Sequence, residues 1–426
     1  METRTSPAQR IPSKEPSLAV RAFSRLGLVP TRGLILLACV AFFMSFGMSA
    51  QNSVGTNFQV ETLHMTALDR GYMETGRELP GLLLVLISAL TAALPVPVLA
   101  TLALLTMAVQ YLGYSQVTAI WQLVGLAMFG SIGFHLWNPL QRELNMSQVD
   151  KASSGRVLGF MAGVGSAGAL SGMASVWLFA PTLGYRTMFL WASGSLAIAA
   201  ILVSRAKSPR KEEGPRKARI IFRREYSFYY LLTMLEGSAR QIWGVFAMLA
   251  IVQTFHVDVR TVTVMLAINS LVTVFMNPRI GVWIDQWGER KAMMVGYGGL
   301  IPVFLTFGLN MGGLLANSLV SARMVAILIY FTYSTLFAFN ALASPSYINK
   351  IARPGELAPS LAMGVTFEHL VGVSIPTLGG LIGVAYGYEY TFIIGTAIAI
   401  ICFAVVTRLP RGRLHSRAEG AAVVGR

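Results

Sequence analysis

The sequence predicts an all-α, polytopic membrane protein: twelve transmembrane helices in two homologous six-helix bundles. Three observations predict it. Hydrophobic residues make up 54% of the 426 and charged residues only 12%, about half the charge of an ordinary soluble domain. The apolar residues fall in blocks of roughly 20, the length that spans a bilayer as a helix. The stretch Arg205–Arg224 carries nine Lys or Arg against two Glu and separates two apolar halves, as a cytoplasmic linker would under the positive-inside rule.

The expected organisation follows in chain order. Residues 1–32 are a basic, Pro-containing cytoplasmic tail without the apolar core of a signal peptide. Residues 33–204 form the first bundle, 205–226 the linker, 227–408 the second bundle and 409–426 a basic cytoplasmic tail. The first helix begins near Leu34. The charged segment Asp69, Arg70, Glu74, Arg77 and Glu78 leads through Pro80-Gly81 into a second helix over about 79–94, with Arg77 and Glu78 at its outer end. Leu94-Pro-Val-Pro97 is a short turn. The fourth helix starts near Ile120, and the fifth (about 156–180) carries Gly155, Gly159, Gly163, Gly165, Gly168 and Gly172. Spacings of four among these glycines let another helix approach closely. After the linker, helices are expected at about 227–253, 261–284, 292–311, 323–344, 357–383 and 390–407. Both termini then lie inside, with 28 of the 34 Lys and Arg on that side, in keeping with the charge rule.

A weak internal repeat supports two related halves. Pro139 and Pro345, each expected to end a helix, are 206 residues apart, and Gly159 and Gly364 are 205 apart. Gly184-Tyr-Arg-Thr-Met-Phe189 matches Gly387-Tyr-Glu-Tyr-Thr-Phe392. Parallel repeats of this kind place a substrate site between the halves at mid-membrane.

Gly281-Val-Trp-Ile-Asp285-Gln-Trp-Gly288-Glu-Arg290-Lys291, in the expected loop 8–9, resembles the loop motif of the major facilitator superfamily. Gln286 and Glu289 stand where that motif is usually basic, and the matching loop around Leu94–Pro97 has lost it. The resemblance covers about 33–408. It implies the superfamily's fold, a secondary active transporter, and a conformational role for Gly281, Asp285, Gly288, Arg290 and Lys291. Arg77-Glu78-Leu-Pro80-Gly81 and the stretch Gly133–Leu140 resemble a bacterial subgroup of mostly unassigned substrate. The superfamily includes magnetosome-membrane members thought to move iron, with which the size and layout here are compatible.

Ionisable groups inside a bilayer are costly and point to function. Glu236 and Arg240 lie i,i+4 on one face of the seventh helix, as a proton- or substrate-coupling pair or as a self-neutralising structural pair. Glu368 and His369 sit deep in the eleventh helix. A carboxylate beside an imidazole can carry a proton or bind a cation, but neighbours about 100° apart leave only one facing the cavity. His135 is a third ligand candidate, against a histidine satisfied at a helix end. Asn52, Asn57, Asn269 and Asn340 are candidate cavity linings, against interhelical hydrogen bonding. Cys39 and Cys402 lie in apolar runs without ligand or disulfide spacing. No phosphate-binding loop, HExxH or Gly-x-Ser-x-Gly stands in the sequence, so no enzyme and no cofactor are expected. The net charge of +15 flanks apolar segments and builds no nucleic-acid-binding domain.

The expected activity is alternating-access transport of a small solute across a bacterial inner or derived membrane, with proton coupling through Glu236 or Glu368 as one mechanism. Iron or another small cation is one candidate substrate. An anion or small organic solute is the competing one. A sensor or assembly protein without flux is the reading from a different class. The expected partners are a small-molecule or ion substrate and the lipid bilayer, with a monomer as the assembly.

Overall fold

The computed structural model describes residues 31–91, 93–147, 154–207, 222–315, 318–353 and 355–409. Most of the basic linker and nearly all of both expected tails lie outside them.

The first half contains α1 (Arg32–Asn57), extended by the π-turn Phe58–Thr62, then α2 in two pieces (Ala67–Leu82 and Leu84–Thr91), α3 (Val96–Tyr114) and α4 (Ile120–Met146). A helical stretch Ser154–Val203 follows, divided at Gly184 into α5 (154–183) and α6 (185–203). The second half contains α7 (Ser227–Phe255), α8 (Val259–Trp287), α9 (Glu289–Met311), α10 (Leu319–Ile351), α11 (Leu357–Ala385) and α12 (Tyr388–Thr407). The described residues thus hold the twelve membrane helices expected. By length and composition nine spans among them are apolar enough to cross a membrane. That number takes α5 and α6 as one and leaves out α2 and α7, two helices that carry buried charges.

Gly184 can make its sharp corner because φ is 77° and ψ is 165° there, a backbone conformation open to glycine and strained for other residues. Each half then packs on itself. In the first, Phe189 of α6 stands edge-on to Phe58 and Tyr114, with ring centroids 5.0 and 5.5 Å away. α5 closes on α1 through glycine: a Cβ at Gly168 or Gly172 would lie 2.2 or 2.4 Å from the Phe42 or Phe46 carbonyl oxygen. Gly159 and Gly163 meet nothing within 4 Å, so only part of the glycine run makes that contact. In the second half Trp243 stacks on Tyr333 at 4.1 Å and meets Phe304, Phe307 and Phe392 edge-on or tilted.

Three expectations need correction. α2 begins at Ala67, so the charged segment 69–78 is helical. Thr66 and Asp69 form a reciprocal capping box, Thr66 N to Asp69 Oδ2 at 2.9 Å and Asp69 N to Thr66 Oγ1 at 3.2 Å, which satisfies the first free N–H groups. Pro80 lies inside the helix rather than before it, and Arg77 and Glu78 lie near its middle rather than at its outer end. Pro139 and Pro345 also lie inside helices, which continue to Met146 and Ile351. Neighbouring helices and local adjustment make proline tolerable in a packed membrane helix. Lastly, 281–291 is no open loop: α8 runs to Trp287 and α9 starts at Glu289, with Gly288 between them at φ 80°.

Candidate functional site

The two halves meet along α2 and α11. The meeting is tightest at the end where α1 and α7 finish, because small residues face backbone there. A Cβ on Gly71 would lie 2.4 Å from the Pro376 carbonyl oxygen, and one on Gly380 would lie 2.5 Å from that of Ala67. Thr75 Oγ1 donates to the Val373 carbonyl at 2.9 Å and lies 2.8 Å from Thr377 Oγ1. Asn57 Nδ2 donates to the Val257 carbonyl at 2.8 Å, and Gln253 Nε2 donates to the Met65 carbonyl at 2.5 Å. These contacts seal one end of the seam. At the opposite end of the first half, α1, α4 and α5 border a cavity of about 410 Å³ with Ser45, Gln141, Arg142 and Asn145 in its wall.

A charged chain starts behind the seal and runs along α2 to the middle of the molecule. Arg70 Nη1 donates to Gln59 Oε1 at 2.6 Å. One turn on, Arg77 grips Glu74 through two nitrogens, Nε at 3.0 Å and Nη2 closer, the fork geometry that makes guanidinium–carboxylate pairs strong. Arg77 Nη2 lies 3.8 Å from Glu78 Oε1, and its guanidinium sits 5.9 Å from the centre of the Phe134 ring. Glu74 and Glu78 are both buried.

Glu78 then reaches across the seam. His369 Nδ1 is 2.7 Å from Glu78 Oε2, and the His135 ring packs edge-on against that of His369 with centroids 4.9 Å apart. One candidate ligand atom from each of Glu78, His135 and His369 lies within 4.8 Å of the others. Two glycines make room. A Cβ on Gly81 would lie 2.5 Å from His369 Cε1 and 2.7 Å from His135 Cε1, and one on Gly372 would lie 3.0 Å from Glu78 Oε2 and 2.9 Å from Gln241 Nε2. His135 is 9% exposed, and among the described residues its Nε2 is buried without a hydrogen-bond partner.

α7 and α11 hold a second group. Arg240 Nη2 donates to Glu368 Oε2 at 2.8 Å, with side chains 43% and 35% exposed. Glu236 is buried and accepts a hydrogen bond from the Tyr297 hydroxyl at 3.1 Å. This corrects the Glu236–Arg240 pairing suggested by helical spacing: Arg240 bonds to the neighbouring helix instead. Glu368 and His369, neighbours in sequence, have different partners. One turns to α7 and the other to α2.

The asparagines divide. Asn57 bridges Glu61 and the Val257 carbonyl, each at 2.8 Å. Asn340 lies fully buried against Gly296, inside the second half rather than on a cavity wall. Asn269 is half-buried and Asn52 exposed. In the loop motif, Glu289 pairs with Lys350 and accepts from Ser346 Oγ at 2.7 Å, and Arg290 donates to the Thr407 carbonyl. Gly281 lies inside α8, and the side chains of Asp285 and Lys291 are exposed.

Residues 226–423 match the model of the Major Facilitator Superfamily. Curated proteins give no match. Among solved structures, the chain is similar to the nucleoside transporter NupG (13% identity, TM-score 0.72, 89% of this chain and 100% of that one). It is also similar to a bacterial homologue of the iron transporter ferroportin (11% identity, TM-score 0.69, 88% and 98%). A third is a bacterial homologue of the human lysosomal transporter Spinster (12% identity, TM-score 0.67, 88% and 95%). At such identities the likeness is one of fold.

Proposed function

We propose that this chain, a protein of the major facilitator superfamily, is a secondary active transporter that moves a small solute by alternating access. The observation that carries the reading is the buried ionic seam. Glu78 on α2 and His369 on α11 meet 2.7 Å apart at mid-helix, a buried carboxylate–imidazole contact between the two halves. Polar groups of this kind are expensive in a membrane interior and mark substrate or ion paths.

In this reading 33–204 and 227–408 rock about the seam, joined by 205–226. The basic linker and both termini lie on the cytoplasmic face of a bacterial inner or derived membrane. The sealed end at Gly71, Thr75 and Asn57 is then the outer one, and the conformation is open inward. Glu236 is the proton-coupling candidate, because a buried carboxyl with one phenol donor is costly to leave charged. A small cation, iron among the candidates, is the favoured cargo, because Glu78, His135 and His369 offer donors while the neighbouring Arg77 is forked onto Glu74. An organic anion is the second reading, favoured by the partly exposed Arg240. The working unit is a monomer.

Reconstituted vesicles test the transport reading. An imposed pH gradient should drive accumulation of a cationic substrate, and unlabelled substrate on the far side should accelerate exchange. Vesicles that catalyse neither accumulation nor exchange across a broad screen of cations and organic anions would sink it.

A further inference from the structure

We infer that Glu78, His135 and His369 form the substrate site for a divalent transition-metal ion, shared between the two halves. The inference deepens the transporter reading and rests on it for the word substrate.

The donor set sets the class. Two imidazoles and one carboxylate suit zinc and the divalent ions of iron, cobalt, nickel and copper, whereas calcium and magnesium favour oxygen donors alone. Geometry agrees. Ligand bonds of about 2.0–2.1 Å in a tetrahedron put donor atoms about 3.4 Å apart. The three donor atoms here lie within 4.8 Å of one another, with Glu78 Oε2 and His369 Nδ1 hydrogen-bonded at 2.7 Å. A cation between them needs that bond opened by about 0.7 Å and the third donor drawn in by at most about 1.4 Å, a side-chain adjustment. Three protein ligands also leave a fourth position open, as a site that must release its ion requires.

His135 supplies the independent observation. Buried polar atoms are nearly always hydrogen-bonded, yet its Nε2 is buried without a partner among the described residues while its ring faces His369. Gly81 and Gly372 keep the surrounding backbone clear of the imidazoles and of the carboxylate. Local charge favours a cation too. Arg77 is forked onto Glu74, which leaves the Glu78 carboxylate, 3.8 Å from Arg77 Nη2, to face the imidazoles. Since α2 and α4 bring two ligands and α11 the third, rocking the halves apart would break the site open and free the ion.

The test uses the full chain in nanodiscs, titrated with Co²⁺ and followed by the visible bands of four-coordinate cobalt. One Co²⁺ per chain is expected, displaced by Zn²⁺. Glu78→Gln, His135→Gln and His369→Gln should each weaken binding at least about tenfold, the range seen when even outer-shell partners of a metal site are lost. The double change His64→Asn/His256→Asn, at two exposed histidines, should leave it unchanged. Should the ligand variants fail to fold, pulsed paramagnetic resonance of the Cu²⁺ complex of the His64→Asn/His256→Asn protein should count two imidazole nitrogens. Wild type that retains no Co²⁺, or binding that survives loss of all three ligands, overturns the site. Stoichiometric binding without Co²⁺ or Zn²⁺ flux overturns its role as substrate site. Flux of an organic anion by protein that binds no metal overturns the metal inference and leaves the transporter reading standing.

Discussion

Gly71→Ala should unseat the closed end of the seam. The new methyl would lie 2.4 Å from the Pro376 carbonyl oxygen and 3.0 Å from its carbon, both backbone atoms that cannot rotate away. Restoring ordinary contact needs α2 and α11 to separate locally by about 1 Å, and overpacking of this kind costs about 1–3 kcal/mol. The same retreat would stretch the Thr75–Val373 hydrogen bond from 2.9 Å past bonding distance, at about 1 kcal/mol more. Because every 1.4 kcal/mol is about tenfold in a population ratio, the balance between sealed and unsealed forms should shift by at least about tenfold. Spin labels at Thr62 and Tyr386, exposed residues on opposite halves near that end, would read the shift as a longer distance component. Gly380→Ala should act in the same direction, since its Cβ would meet the Ala67 carbonyl at 2.5 Å. Gly125→Ala, with nothing within 4 Å, should do neither. A wild-type distance distribution in Gly71→Ala, with unchanged flux, would show that this contact does not hold the end shut.

Three further outcomes follow from the side-chain geometry. Glu236→Gln keeps a hydrogen-bond acceptor for Tyr297 and should fold normally, lose pH-gradient-driven accumulation and retain exchange; full gradient-driven uptake would remove Glu236 from coupling. Arg240→Gln and Glu368→Gln break a half-exposed pair, so a double-mutant cycle on thermal stability should return a coupling of about 0–1 kcal/mol, and a value several times larger would refute solvent access to the pair. At the linker end, the hydrogen bonds from Arg223, and then from the Tyr226 hydroxyl, hold the Glu356 carboxyl below its ordinary value of 4.5. That contribution is therefore complete above pH 4.5 and is lost as the pH falls through the lower folded-state value. Melting curves of Glu356→Gln should match wild type in strong acid and fall below it at neutral pH; a constant gap at every pH would exclude the linkage.

The twelve helices were legible because each apolar run had to match the bilayer. α2 was only half legible. Its first turns carry Asp69, Arg70, Glu74, Arg77 and Glu78, which look like a loop when judged by hydropathy. The helix shelters them through specific partners: Arg70 on Gln59, Arg77 on Glu74, and Glu78 on His369 across the seam. Thr66 followed three residues on by Asp69 was the available signal, and Pro80 pointed the wrong way. Of the three residues in the proposed metal site, the sequence singled out the two histidines and missed Glu78, which was placed at a helix's outer end. His135 and His369 stood out as intramembrane histidines, but Glu78 and His369 are 291 positions apart, and no spacing rule relates them. Helical spacing did relate Glu236 to Arg240, yet Arg240 has a long, flexible side chain and a carboxylate on α11 within reach. A pair at i,i+4 is worth only about 0.2–0.5 kcal/mol, so a tertiary partner easily displaces it.

The charged residues of the loop motif are not used alike. Gly288 turns the chain through a positive φ, which places Glu289 and Arg290 at the start of α9. Both are used within the second half, on Lys350 and Ser346 of α10 and on the last turn of α12. Asp285 sits one turn earlier on α8, exposed and without an ion pair among the described residues. The α10 contacts explain why Glu289 can stand where the motif is usually basic: its charge is used inside the half, on Lys350 and Ser346.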